Sequence, residues 1–167
     1  MLSELDETDI KILMLLQANA RLTNREIGER LNKTPTPIFE RIKRLQETGF
    51  IKGYVALLDH KKIDRGLMAF THITLKEHSR EALQHFIEEA TQLEEVLECY
   101  QISGECDFIL RVAVTDLETY NDFLMDKLFK VVPLGSVKSM FVLKEAKRET
   151  SFPLHMPKKK KLSQRGR

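Results

Sequence analysis

Residues Thr23–Tyr54 constrain this chain more than any other stretch: T-N-R-E-I-G-E-R-L-N-K-T-P-T-P-I-F-E-R-I-K-R-L-Q-E-T-G-F-I-K-G-Y. Thr23 and Glu26 stand at capping-box spacing, where a threonine oxygen accepts from a free N–H at a helix start and a glutamate reaches back. Ile27 and Leu31 share a face at i, i+4. Asn32-Lys33 interrupts the pattern. Thr34 is placed to cap a second helix, and Pro35 and Pro37 lie in its first turn, where a missing N–H costs little. Ile38, Ile42 and Leu45 form the stripe of a helix that faces a core. Thr36, Glu40, Lys43 and Arg44 are left on the opposite side, with Arg41 at its margin. Gly49 stands where a helix ends in left-handed backbone, and Ile51–Leu57 reads as a strand. An upstream helix, capped by Asp6 and carrying Ile10, Leu13, Met14 and Leu16, completes the unit. The pattern predicts a winged helix-turn-helix over 1–57, and therefore binding to double-stranded DNA.

The candidate DNA contacts are Thr34, Thr36, Glu40, Arg41, Lys43, Arg44 and Lys52. Lys43 and Arg44 suit phosphate or guanine, and Thr36 suits a phosphate at the helix start. Glu40 either accepts from a cytosine amine or excludes phosphate from a wrong register. Arg41 either joins the contacts or holds an ion pair within the domain.

Charge supports a local reader. The chain carries 27 basic and 25 acidic residues, a net charge of +2. Lys33–Lys52 holds five basic residues against two acidic, and Pro157–Arg167 holds six basic and none acidic. Leu67–Pro133 has five basic against thirteen acidic. The reader and the tail attract phosphate, whereas the middle of the chain repels it. With 42% apolar and 31% charged residues, the composition is that of an ordinary globular protein. No apolar run approaches the roughly 20 residues that span a bilayer, and the start M-L-S-E-L-D lacks the basic and apolar regions of a signal peptide. A cytoplasmic location is expected, with no membrane partner. Cys99 and Cys106 fit no metal spacing and are expected as reduced thiols; the five histidines form no H-x-x-x-H pair. No metal or cofactor is expected.

Leu58–Gly66 is polar and ends in glycine, as a hinge does. After it the pattern alternates: strand Leu67–Lys76, a helix capped by Ser79, strand Val96–Ser103, strand Asp107–Thr115, a helix capped by Asp116, and strand Ser136–Lys144. The second helix is expected to bury Leu117, Tyr120, Leu124, Leu128 and Val131. This order predicts a ferredoxin-like βαββαβ domain over 67–154, so the fold class is α+β. Two helices cover one sheet face. The other, expected to bear Met68, Phe70, Tyr100 and Phe141, needs a partner, and the natural one is a second copy.

In combination these motifs resemble the Lrp/AsnC (leucine-responsive, feast/famine) regulators over about Leu5–Leu154. L-D-E-T-D-I-K-I-L-M-L-L-Q at Leu5–Gln17 is similar to their opening helix. R-I-K-R-L-Q-E-T-G-F-I-K-G-Y at Arg41–Tyr54 resembles their recognition helix and wing. S-G-E-C-D-F-I-L-R-V at Ser103–Val112 resembles the glycine-x-x-aspartate motif of their C-terminal (RAM) domain, and T-S-F-P-L at Thr150–Leu154 their closing segment. The resemblance implies a transcriptional regulator built from dimers, often assembled to octamers. It also implies modulation by a small molecule, usually an amino acid. The effector residues it implies are Ser103, Gly104, Glu105, Cys106 and Asp107, with Ser139 where the family usually has threonine. An amino acid needs a carboxylate for its ammonium and N–H groups for its carboxylate, which Asp107 and the Gly104 loop can supply. The loop can equally be a plain hairpin turn.

The tail, 155–167, lies outside the family pattern. It keeps open a nucleoid-type architectural binder with little sequence preference. Sirohaem decarboxylases are similar to the same family, but His72 and Arg111 are the only strand candidates for such chemistry, so no catalytic residue and no enzyme is expected.

Overall fold

The computed structural model describes residues 5–156. The chain forms two compact units. One runs from the N-terminal side to Ala56 and takes in the chain again from Lys147; the other is Leu57–Ala146. The boundaries therefore differ from those expected. The segment 58–66 belongs to the second unit, where a 3₁₀ turn, His60–Ile63, is capped by Asp59. The closing segment belongs to the first. Leu154 packs on its core, the Gln17 side chain donates to the Phe152 carbonyl at 3.1 Å, and it accepts from the Phe152 N–H at 2.7 Å. The basic tail 157–167 lies outside the described residues.

The first unit contains α1 (Glu7–Ala18), α2 (Asn24–Leu31) and α3 (Pro35–Glu47). Reciprocal capping boxes start two of them: Asp6 with Asp9 on α1, and Thr23 with Glu26 on α2. The Thr23 backbone N–H holds the Glu26 carboxyl below its ordinary range. Thr34 stands at the start of α3, but its side chain makes no cap bond there; Pro37 removes the N3 donor, one of the two that a cap satisfies. Between α2 and α3, Asn32 takes a left-handed conformation and the Lys33 N–H donates to the Gly28 carbonyl at 2.8 Å. That turn needs glycine at 28, since a Cβ there would lie 2.6 Å from the Lys33 carbonyl oxygen. Leu5, Ile10, Ile12, Leu13, Leu16, Ile27, Ile38 and Leu45 form the core. Met14, expected inside, is instead exposed, whereas Ile10, Ile12, Leu13 and Leu16 of the same helix are buried. The strand expected over Ile51–Leu57 is not formed: the segment has no ladder partner among the described residues. Strand propensity does not pair a segment by itself.

The second unit contains β1 (Leu67–Leu75), α4 (Arg80–Ala90), β2 (Val96–Gln101), β3 (Phe108–Val114), α5 (Leu117–Asp122) and β4 (Leu134–Phe141). Helix α5 runs on through a π-helical stretch, Phe123–Leu128, into a last turn, α6 (Phe129–Val131). The sheet order is β2-β3-β1-β4, with every neighbouring pair antiparallel, so the α+β βαββαβ expectation holds. Ser79 and Asp116 cap their helices as expected. Alternation along β1 and β3 sends Ala69, Ile73, Leu75, Phe108, Leu110 and Val112 under the helices, where Phe86 meets Phe108 at 4.5 Å between ring centroids. The π stretch has wider turns, which displace the helix face. Phe123 is buried, and Leu117, expected in the stripe, is exposed.

On the open face, Phe70 lies opposite Arg111 and Met140, and Tyr100 opposite Ile109. Phe141 is not on this face, contrary to expectation. It pairs with Ala69 and turns edge-on to Tyr120 at 5.1 Å on the helix side, leaving the exposed Met140 on the open side.

Candidate functional site

Helix α3 places most of the expected DNA contacts. Burial of Ile38, Ile42 and Leu45 leaves Thr36, Glu40 and Lys43 exposed on the opposite side, with the Lys43 ammonium 3.9 Å from Glu47. Thr34 and Lys52, before and beyond the helix, are exposed as well. Phe39, which sequence reasoning passed over, is also on α3 and 49% exposed. Its signal was an aromatic at i+3 from Thr36 that falls off the apolar stripe.

The two arginines are engaged within the unit. Arg41 Nη1 donates to Asp9 Oδ1 at 2.7 Å and to Asp6, while Arg44 Nη2 donates to Asp9 Oδ2. Burial raises the Asp6 carboxyl, but the Asp9 N–H and the Arg41 guanidinium outweigh it and hold the carboxyl below its ordinary value. Burial likewise lowers Arg41, and the Asp6 and Asp9 carboxylates outweigh it and raise the guanidinium above its ordinary value. Of the two roles left open for Arg41, the ion pair is the one its geometry displays. Arg44 is 50% exposed, and its Nε and Nη1 have no partner among the described residues.

The second candidate site is the β2–β3 hairpin loop. The Ile102 N–H donates to the Asp107 carbonyl at 2.9 Å and closes it. Ser103, Gly104 and Glu105 are exposed, and Gly104 has φ +136°, a conformation that side chains rarely adopt. Cys106 is buried. Asp107 accepts from the Leu75 N–H at 2.8 Å, and the same Oδ2 lies 3.1 Å from His78 Nε2. Leu75 also lines a cleft of about 420 Å³ with Glu77, Ser79, Glu81, Ala82, His85, Val132 and Pro133. Ser139 is set apart from this loop. It pairs with Thr71, on the helix side of the sheet, and accepts from the Tyr120 hydroxyl at 2.6 Å; that hydroxyl is also 2.7 Å from Thr71 Oγ1. Ser139 on β4 and Asp107 at the start of β3 lie on either side of β1, so two strand spacings and about three residues of rise separate them, roughly 14 Å between backbones.

Two further ion pairs escaped the sequence reading. Arg111 on the open face pairs with Glu98 on the neighbouring strand, and Lys127 in the π stretch pairs with the buried Glu95, which raises the lysine above its ordinary value.

Comparison with known proteins assigns both units. A family model described as winged helix-turn-helix DNA-binding matches residues 5–52, and one described as the Lrp/AsnC ligand binding domain matches 68–152. The DNA-binding transcriptional activator DecR of Escherichia coli K12 is 39% identical over 150 residues, covering 90% of this chain and 99% of that protein. The leucine-responsive regulatory protein of the same organism is 35% identical over 144 residues, covering 86% and 88%. The structure of transcriptional regulator NMB0573 from Neisseria meningitidis, a complex with L-Met, superposes with a TM-score of 0.84 at 38% identity, covering 89% of this chain and 96% of that one. A helix-turn-helix with an exposed reading face, a βαββαβ domain with a Gly104–Asp107 loop, and these matches together make the chain a member of the Lrp/AsnC family of DNA-binding transcriptional regulators.

Proposed function

We propose that the chain is a sequence-specific regulator that reads DNA with α3 and responds to an amino acid at the Gly104–Asp107 loop. The observation that carries the first half is the face Thr36-Glu40-Lys43, exposed on a helix whose opposite side is locked in a core. Thr34, Arg44 and Lys52 flank it, and Phe39 at its edge offers an apolar contact for a thymine methyl group. Arg41 serves mainly as an internal partner. Genome-wide binding by immunoprecipitation should show enriched sites, and affinity should fall steeply with salt as phosphate contacts release counterions. A chain with no enriched sites, with or without residues 157–167, is the architectural binder instead.

The second half draws on the likeness to the methionine complex. Asp107 offers its carboxylate to the ammonium and the loop its N–H groups to the carboxylate. Ser103, Glu105, Cys106 and Ser139 complete the expected set, and the apolar walls of the cleft beginning at Leu75 suit an aliphatic or thioether side chain. A thermal-shift screen of the twenty amino acids tests this, since a ligand bound only by the folded state raises its stability. No shift with any of them counts against the loop as an effector site.

The open sheet face, with Phe70, Tyr100 and Met140 exposed, supports a homodimer that assembles further toward an octamer. Its place is on chromosomal DNA in the cytoplasm. A regulator rather than an enzyme fits the face's polar groups, since Arg111 there is spent on Glu98.

A further inference from the structure

Asp9 has no part in the reading above, yet it is the point where α1 meets the two arginines of α3. Its side chain is buried, and its two oxygens accept three donors. Oδ1 takes Arg41, and Oδ2 takes Arg44 and the Asp6 N–H at 3.1 Å. Arg41 and Arg44 stand one turn apart, so one carboxylate reaches both.

This arrangement does two things. It offsets charge: Arg41 and Arg44, two of the five basic residues of Lys33–Lys52, meet Asp6 and Asp9 across the packing of α1 on α3. It also fixes geometry. Arg44 is tied to Asp9 through one N–H of Nη2, and the second Nη2 N–H with its neighbouring donor remains as a two-donor edge on a side chain that is 50% exposed. A guanidinium edge of that kind is what reads guanine, whereas a loose guanidinium finds any phosphate.

We propose that Asp9 is a positioning residue for DNA recognition: it aims the free edge of Arg44 and withholds Arg41 from phosphate, so that the reader gives up sequence-independent attraction and gains base discrimination. The inference rests on α3 being the reader.

The test is a salt series of binding titrations with the full chain and Asp9→Asn, on a preferred duplex and on an unrelated one. On the unrelated duplex the slope of log affinity against log salt should steepen by about 0.9 for each arginine released. The ratio of specific to non-specific affinity should fall on the order of tenfold. A folded variant with an unchanged or shallower slope and an unchanged ratio makes Asp9 a structural partner only and overturns the proposal. Should Asp9→Asn not fold, Arg44→Gln decides, because that side chain is half exposed. Loss confined to the preferred duplex supports the proposal, and equal loss on both duplexes, or none on either, overturns it. A wild-type chain with no preferred duplex would sink the reading of α3, while the slope comparison on unrelated DNA still decides the role of Asp9.

Discussion

Asp9 in the helical unit and Asp107 in the sheet unit are both carboxylates that tie one element to another, but the first is closed and the second is open. Asp9 is buried, and both of its oxygens accept donors from α3. Asp107 is 20% exposed, with one fixed partner, the Leu75 N–H, and one exposed partner, His78. A charge out of water must be fully compensated, so the partners of Asp9 cannot leave without a large penalty. A charge at the surface can exchange one partner for another at little cost. The helical unit therefore holds its cations still, whereas the proposed effector loop leaves Asp107 with one partner, His78, that it can exchange.

The sharpest separation of the two units is through their cores, which share no residue. Phe108→Ala should destabilise the sheet unit by about 3–5 kcal/mol. Hydrogen exchange should then speed up at β3 amides and not at α3 amides; equal acceleration in both would mean the units unfold as one. Gly28→Ala does the reverse. Its Cβ meets backbone at 2.6 Å, so the turn must open, at about 3 kcal/mol, with loss of DNA binding and an unaltered sheet unit. Asp107→Ala leaves the Leu75 N–H without its acceptor, costs about 1–3 kcal/mol and abolishes the effector response while the dimer persists. Effector titrations that match the wild type would remove Asp107 from the site. His78→Ala changes stability by under about 1 kcal/mol and should lower the effector midpoint a few-fold, on the order expected for one exposed pair; a raised midpoint would make His78 a ligand contact rather than a competitor.

The smallest effect is acid sensitivity. Asp6 is held below its ordinary value in the fold, so its stabilisation is complete above the unfolded value of about 3.9 and fades as pH falls through the folded value. Below about pH 4 the start of α1 should loosen, as followed by exchange at its first amides. Asp6→Asn should flatten that dependence; a profile identical to the wild type would mean that another carboxylate controls it.

The reader was legible because its signals are local. Capping residues, prolines and the Ile38-Ile42-Leu45 stripe lie within a few positions of what they determine. The misplacements have equally definite causes. Phe141 and Met140 exchanged faces because strand alternation turns a shift of one residue into a change of side. Tyr120, Phe123 and Leu128 are buried at steps of three and then five residues because a π-helical stretch breaks the 3.6-residue period, while Leu117, on the first turn of α5 before that stretch, is exposed. The segment Ile51–Leu57 has strand-forming residues but no pairing partner among the described residues.

From sequence alone came the two-part architecture, the candidate reading helix and the loop Ser103–Asp107, because each rests on signals between residues close along the chain. Only the tertiary structure joined Asp9 to Arg41 and Arg44, 32 and 35 residues away, returned Leu154 to the core of the first unit, and set Ser139 beneath Tyr120 instead of beside the loop. The spacings Asp6-Asp9 and Arg41-Arg44 are complementary in the sequence, but that complementarity has meaning only once two helices pack and bring one-turn pairs face to face.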